Sequence, residues 1–278
     1  MAGELENVEK ALRDLGKSLK NLPRNPQPEQ VHKLRTSARR VEAIATALPA
    51  AQGKHSRRLV RLIAPLRKAA GSVRDMDVLA SSIRRLTRDV PSDSLERLID
   101  HFRSARAEEA GELHRAFNRR HKKARHRLKE YAHELESTLA NGNHVKHGHR
   151  QNGRRRDPID PTARHLAHDL AEWPKLNPEN IHDFRLKVKQ LRYILQLNPD
   201  ADSELLESLG KAQRRIGDWH DWEQLDEIAG EYLDPEKDHA LLTRINEIAQ
   251  QKLTSALAES NSLRRRHLPS SALHILGC

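Results

Sequence analysis

One helical pattern occurs twice in this chain. The segment Val31-His32-Lys33-Leu34-Arg35-Thr36-Ser37-Ala38-Arg39-Arg40 returns as Ile181-His182-Asp183-Phe184-Arg185-Leu186-Lys187-Val188-Lys189-Gln190. Each copy reads apolar, His, any residue, apolar, Arg, with a cation four residues after the Arg. At about 100° per residue, such cations share one side of an α-helix. A second pair of matches follows in the same order. Leu66-Arg67-Lys68-Ala69 and Val73-Arg74-Asp75 align with Leu209-Gly210-Lys211-Ala212 and Ile216-Gly217-Asp218. Two ordered matches imply two similar halves, and any fold must build the basic helix face twice.

The rest of the chain supports helices alone. Leu, Ala, Arg, Lys and Glu dominate, all strong helix formers, and aromatics are only 3%. Apolar residues recur at helical spacing almost throughout. Expected helices run from about Leu5 to Leu19, Glu29 to Leu48, His55 to Arg88 with Pro65 as a kink, and Ser94 to Ala140. Residues 141–157 hold one apolar residue and cannot bury a face, so they read as a flexible basic linker. Four more patterns follow, at about Pro161–Glu172, Pro178–Gln196, Ser203–Tyr232 and Pro235–Arg266. The expectation is an all-α protein. Two antiparallel four-helix bundles, 1–140 and 158–278, would be related by internal pseudo-twofold symmetry within a single domain of 278 residues.

Net charge is +11, unevenly distributed. Residues 1–156 carry 35 Lys and Arg against 18 Asp and Glu, whereas residues 157–278 carry 15 against 21. A basic balance points to nucleic acid, an anionic membrane or another polyanion. The one cysteine, Cys278, cannot form an internal disulfide, which fits a reducing compartment. The first twenty residues lack a signal-peptide core, and no stretch of about 18 uncharged apolar residues exists to span a membrane. Cytoplasm is the expected location.

These motifs resemble the CHAD family, the conserved-histidine α-helical domain. The resemblance rests on Val31-His32-Lys33-Leu34-Arg35 with Arg39-Arg40, and on Val73-Arg74-Asp75-Met76-Asp77-Val78-Leu79. In the second half it rests on Ile181-His182-Asp183-Phe184-Arg185 with Lys187, Lys189, Leu191-Arg192-Tyr193, and Ile216-Gly217-Asp218. It covers nearly the whole chain outside the linker. It implies two four-helix bundles around a basic cavity, binding of inorganic polyphosphate, and no catalysis. Association with polyphosphate granules goes with it. Position 42 is Glu where the family often continues with a third Arg, which weakens the first basic face.

His182, Arg185, Lys189 and Arg192 fall within an arc of about 80° on one helix. Cations so placed repel one another until an anion answers them, and Arg offers forked donors suited to phosphate oxygens. His32, Arg35 and Arg39 repeat the arc, with Arg40 beside it. His32 and His182 lie near helix starts, where backbone N–H groups add positive potential. Lys68 and Lys211 are further phosphate contacts. Asp75 and Asp218 lie among cations and are read as partly buried, salt-bridged residues that orient basic side chains. No metal site and no cofactor are expected. His144, His147, His149, His165 and His168 read as solvated. The run Arg119–Arg127 wraps the helix on all sides, so part of it meets solvent and could extend a polyanion path.

Two other classes compete with polyphosphate. An RNA-binding protein would use the same cations, but base stacking needs exposed aromatics, and Phe184, Tyr193 and Trp219 look like core. A metal-dependent phosphohydrolase would need clustered carboxylates to hold Mg²⁺, and the repeats carry only isolated aspartates.

Overall fold

In the computed structural model, the described residues are 2–47, 53–86, 92–142, 161–196 and 201–268. They form eight α-helices and one short 3₁₀ turn, with no strand among them. The helices are α1 (Ala2–Ser18), α2 (Pro28–Ala47), α3 (Lys54–Ile83), α4 (Ser92–Gly142), α5 (Pro161–Ala171), α6 (Ile181–Leu195), α7 (Ser203–Tyr232) and α8 (His239–His267). Helix α3 runs through Pro65 and tightens into the 3₁₀ turn Arg84–Leu86. All but the first two residues of the expected linker lie outside the described residues, as do His144, His147 and His149; Asn141 and Gly142 close α4.

The chain divides into two compact units. The first comprises residues 1–84 and 99–153, the second residues 85–98 and 154–278. One segment differs from the expected division: the first turns of α4 belong to the second unit. The local chemistry shows why. Asp238, almost wholly buried, accepts hydrogen bonds from Ser94 Oγ at 2.5 Å and from Arg97 Nη2 at 2.5 Å. Leu95 and Leu98 are buried as well.

Each unit has its own apolar core. In the first, Leu15, Leu34, Leu59, Ile63, Leu66, Phe117 and Tyr131 gather from α1 to α4. In the second, Leu170, Phe184, Val188, Leu209, Ile216 and Trp219 gather from α5 to α7, and α8 adds Ala256 and Leu263. The spacing of these residues puts one stripe of each helix inward and leaves the charged positions outside.

The two copies of the basic helix begin alike. Gln27 N–H donates to Gln30 Oε1 at 2.8 Å before α2. Asn177 N–H donates to Asn180 Oδ1 at 3.1 Å before α6, and Asn180 N–H returns a bond to Asn177 Oδ1 at 3.0 Å. In each case a side-chain amide three residues on satisfies a backbone donor at the helix entry. The asparagine turn occupies residues 178–180, so α6 starts at Ile181 rather than at Pro178. Asp234 delays α8 similarly by accepting from the N–H groups of Glu236 and Lys237 at 2.9 and 3.1 Å.

Candidate anion-binding site

In the second unit, α6 and α7 pack side by side along a seam. The His182 and His220 rings lie 5.2 Å apart. The Arg185 guanidinium lies over Gly217: a Cβ built there would sit 2.8 Å from Arg185 Nη2. Farther along, Arg192 lies over Gly210, where a Cβ would meet its Cζ at 3.5 Å and Arg214 Nη1 at 3.3 Å. Numbers rising on α6 meet numbers falling on α7, so the helices are antiparallel. Arg185 and Arg192 are seven residues apart, as are Gly217 and Gly210, so both pairs fall on one face of their helices.

The glycines explain how long cations fit into a helix–helix seam. Glycine inside a helix costs roughly 1 kcal/mol relative to alanine. Two such positions on one face of α7 give up that stability and leave room for two planar guanidinium groups. Arg192 donates to Gln213 Oε1 at 3.2 Å, while its buried Nε has no hydrogen-bond partner among the described residues. Lys189 is half-buried between Arg185 and Arg192 in sequence and on their face. Lys187, by contrast, turns to α5, where it bonds Asp169 and stands 5.9 Å from the Trp173 ring. That contact removes it from the seam.

In the first unit, α2 and α3 use the same register with different partners. His32 is exposed, and Arg35 and Arg39 are half-buried. Arg35 Nε lies 3.6 Å from where Gly71 would carry a Cβ. Although His32 has an exposed surface, loss of water on its packed side first, then the charges of Arg74, Arg35 and Arg40, hold its imidazole below its ordinary pKa of 6.5. So Arg74 joins the cluster from α3.

The units differ along the seam, since Arg74 stands where the second unit has Gly217, and they differ again at its third position. By the sequence alignment, Glu42 stands where the second unit has Arg192, and Arg67 where it has Gly210. Arg67 Nε donates to Glu42 Oε2 at 2.5 Å. Burial raises the Glu42 carboxyl, and the Arg67 and Arg39 charges pull it back. A cation over a glycine is thus replaced by an internal ion pair, which offers an anion less.

The remaining expected residues fall around these seams. Arg40 and Lys68 are exposed. Lys211 is exposed and pairs with Glu207 at 2.9 Å. Asp75 is half-buried on α3. Asp218 is exposed, with Lys252 Nζ of α8 at 3.5 Å, so it is not the partly buried residue that its neighbours in sequence suggested. Phe184 and Trp219 are buried in the core, while Tyr193 is half-buried. Sequence reasoning quoted Gly210, Gly217 and Arg74 without giving them roles, and it missed Gly71, Gln213 and His220. The available signal was two glycines seven apart inside an otherwise strong helix.

Among the described residues, no group of three or more His, Cys, Asp or Glu is placed to hold a metal ion. None of the described helices is long and apolar enough to cross a membrane.

The class that emerges is an all-helical protein of two units, each with a helix pair that presents a row of cations. The sequence matches the CHAD domain family model over residues 6–230, and the chain belongs to that family. The match ends in α7, so α8 lies beyond it. No curated protein and no solved structure matches the chain.

Proposed function

We propose that this protein binds inorganic polyphosphate on its two basic seams and does not cleave it. The observation that carries the reading is the seating of Arg185 and Arg192 over Gly217 and Gly210. A helix that gives up stability to hold guanidinium groups in a row is built for a ligand with repeated anionic oxygens. Arg35, Arg39, Arg40, Lys68, Arg185, Lys189, Arg192 and Lys211 contact phosphate, and His32 and His182 add hydrogen bonds from the helix entries. Asp75 and Asp218 orient neighbouring cations. The two halves, 1–140 and 158–278, follow one four-helix plan, and the linker 141–157 takes no part in recognition. The setting is cytoplasmic, in association with polyphosphate granules.

The binding is ionic, so it weakens steeply with salt and needs no divalent metal. A long chain outcompetes triphosphate because it offers many overlapping registers and can engage more than one cation row. The test is a competition titration at two salt concentrations, with phosphate release followed in parallel. Tighter binding of single-stranded RNA than of polyphosphate would favour the nucleic-acid reading. Metal-dependent release of phosphate would make the protein an enzyme.

A further inference from the structure

A second row of cations lies on α4, and it shares no residue with the α2–α3 seam. Arg115, Arg119, Lys122, His126, Lys129 and His133 are all exposed. Their spacing alternates four and three residues, which keeps them on one side of a helix. The opposite side is spoken for: Leu113, Phe117, Ala124, Leu128 and Tyr131 are buried, and the His121 ring stacks on Phe117 at 4.7 Å. From Arg115 to His133 the stripe is about 27 Å long at 1.5 Å per residue.

Few carboxylates answer it. Arg115 pairs with Glu112 at 2.5 Å, and His126 stands 3.4 Å from Glu130. Glu130 is already held by Arg127 at 2.6 Å. Arg119, Lys122 and Lys129 make no ion pair among the described residues, and exposed Lys123 and Arg125 widen the row. A solvated helix face stabilised by its own charges would interleave acids at i,i+4 along its length, and here only His126 has such a partner, Glu130.

We propose that this face of α4 binds the phosphate backbone of duplex nucleic acid without regard to sequence. Three features choose the partner. The stripe has no Phe, Tyr or Trp on which the bases of a single strand would stack. It has no apolar residue to insert into a lipid interface. It is about 27 Å long, and a duplex, with a persistence length near 50 nm, is already stiff over that distance. A flexible single strand or polyphosphate chain would lose conformational freedom to lie along it. Arg119, Lys122 and Lys129 each neutralise a phosphate, and the histidines add charge when protonated.

The experiment is fluorescence anisotropy with a labelled duplex of about 20 base pairs, roughly two helical turns. The same strand unpaired and long-chain polyphosphate are the other arms. The variants are Lys122→Gln and the triple Arg119→Gln, Lys122→Gln, Lys129→Gln, each checked by thermal melting. We expect the triple variant to bind duplex at least about tenfold more weakly and to keep its affinity for polyphosphate. Its log–log salt slope should fall by about 2.7, and that of the single variant by about 0.9. Absence of duplex binding in the wild type, or undiminished binding in the triple variant, overturns the proposal. So does tighter binding of the single strand, or an equal loss for polyphosphate, which would make α4 part of the polyphosphate path. The polyphosphate arm with the seam variant Arg185→Gln tests the proposed function separately.

Discussion

The glycines of α7 give a graded test, because the room above them differs. At Gly217 an added Cβ sits 2.8 Å from Arg185 Nη2, closer than real contacts allow, so the guanidinium must move. At Gly210 the nearest atoms are 3.3 and 3.5 Å away, which small shifts accommodate. At Gly230 nothing lies within 4 Å. Alanine gains up to about 1 kcal/mol of helix propensity at each position. At Gly217 an off-rotamer Arg185 returns about 0.5–1.5 kcal/mol, leaving stability within about 1 kcal/mol of the wild type. Binding behaves differently. Displacing one guanidinium from a charge-assisted contact forfeits about 1.5 kcal/mol, roughly tenfold in affinity. We therefore expect Gly217→Ala to weaken polyphosphate binding about tenfold, Gly210→Ala about two- to threefold, and Gly230→Ala not at all. Gly230→Ala should also raise the melting temperature by a few degrees. Isothermal titration with long-chain polyphosphate and thermal melting read both quantities. Unchanged affinity in Gly217→Ala, or a larger loss at Gly230 than at Gly217, would refute the idea that these glycines seat ligand-binding arginines.

The ion pair at the third position of the first seam should be convertible: Glu42→Arg with Arg67→Gly copies the second unit and should raise polyphosphate affinity severalfold, about 1 kcal/mol, in the same titration. The quadruple variant Arg35→Gln, Arg39→Gln, Arg185→Gln, Lys189→Gln should lose polyphosphate binding while keeping its far-ultraviolet dichroism. His32 is held below its ordinary pKa, so the unfolded chain takes up that proton first as pH falls. The His32 contribution to stability is therefore present above 6.5 and declines as pH drops from there toward the lower folded value. A bound polyanion reverses the repulsion, so binding should take up a proton and strengthen over the same window. Calorimetry in two buffers of different ionisation enthalpy reads the uptake, and His32→Gln should remove it. Arg106 donates to Asp77 Oδ1 at 2.6 Å, Asn25 Oδ1 at 2.9 Å and the Pro26 carbonyl at 2.7 Å. Arg106→Ala strands a largely buried carboxylate and should cost about 3 kcal/mol in denaturant unfolding. For exposed Asp218, Asp218→Ala should cost under about 1 kcal/mol in the same assay.

The sequence by itself determined the helices and the order of the repeated motifs. Apolar residues at helical spacing in a chain almost without strand formers leave no other fold class, and α7 begins and ends where its pattern does. Periodicity also told which residues of α2 and α6 share a face, because 100° per residue is a property of the helix alone. What the sequence did not determine depends on which helix lies against which. Ser94 and Arg97 read as part of the first half until Asp238, far along the chain, is seen to bind them. Lys187 and Lys189 look alike in the sequence, and only the packing of α5 on α6 ties one to Asp169. Glu42 looked like a missing cation, and the α2–α3 register shows a carboxylate matched to Arg67. Gly210 and Gly217 carry no side chain to signal a role. Their meaning lies in the arginines above them, because the space over a glycine belongs to the neighbouring helix.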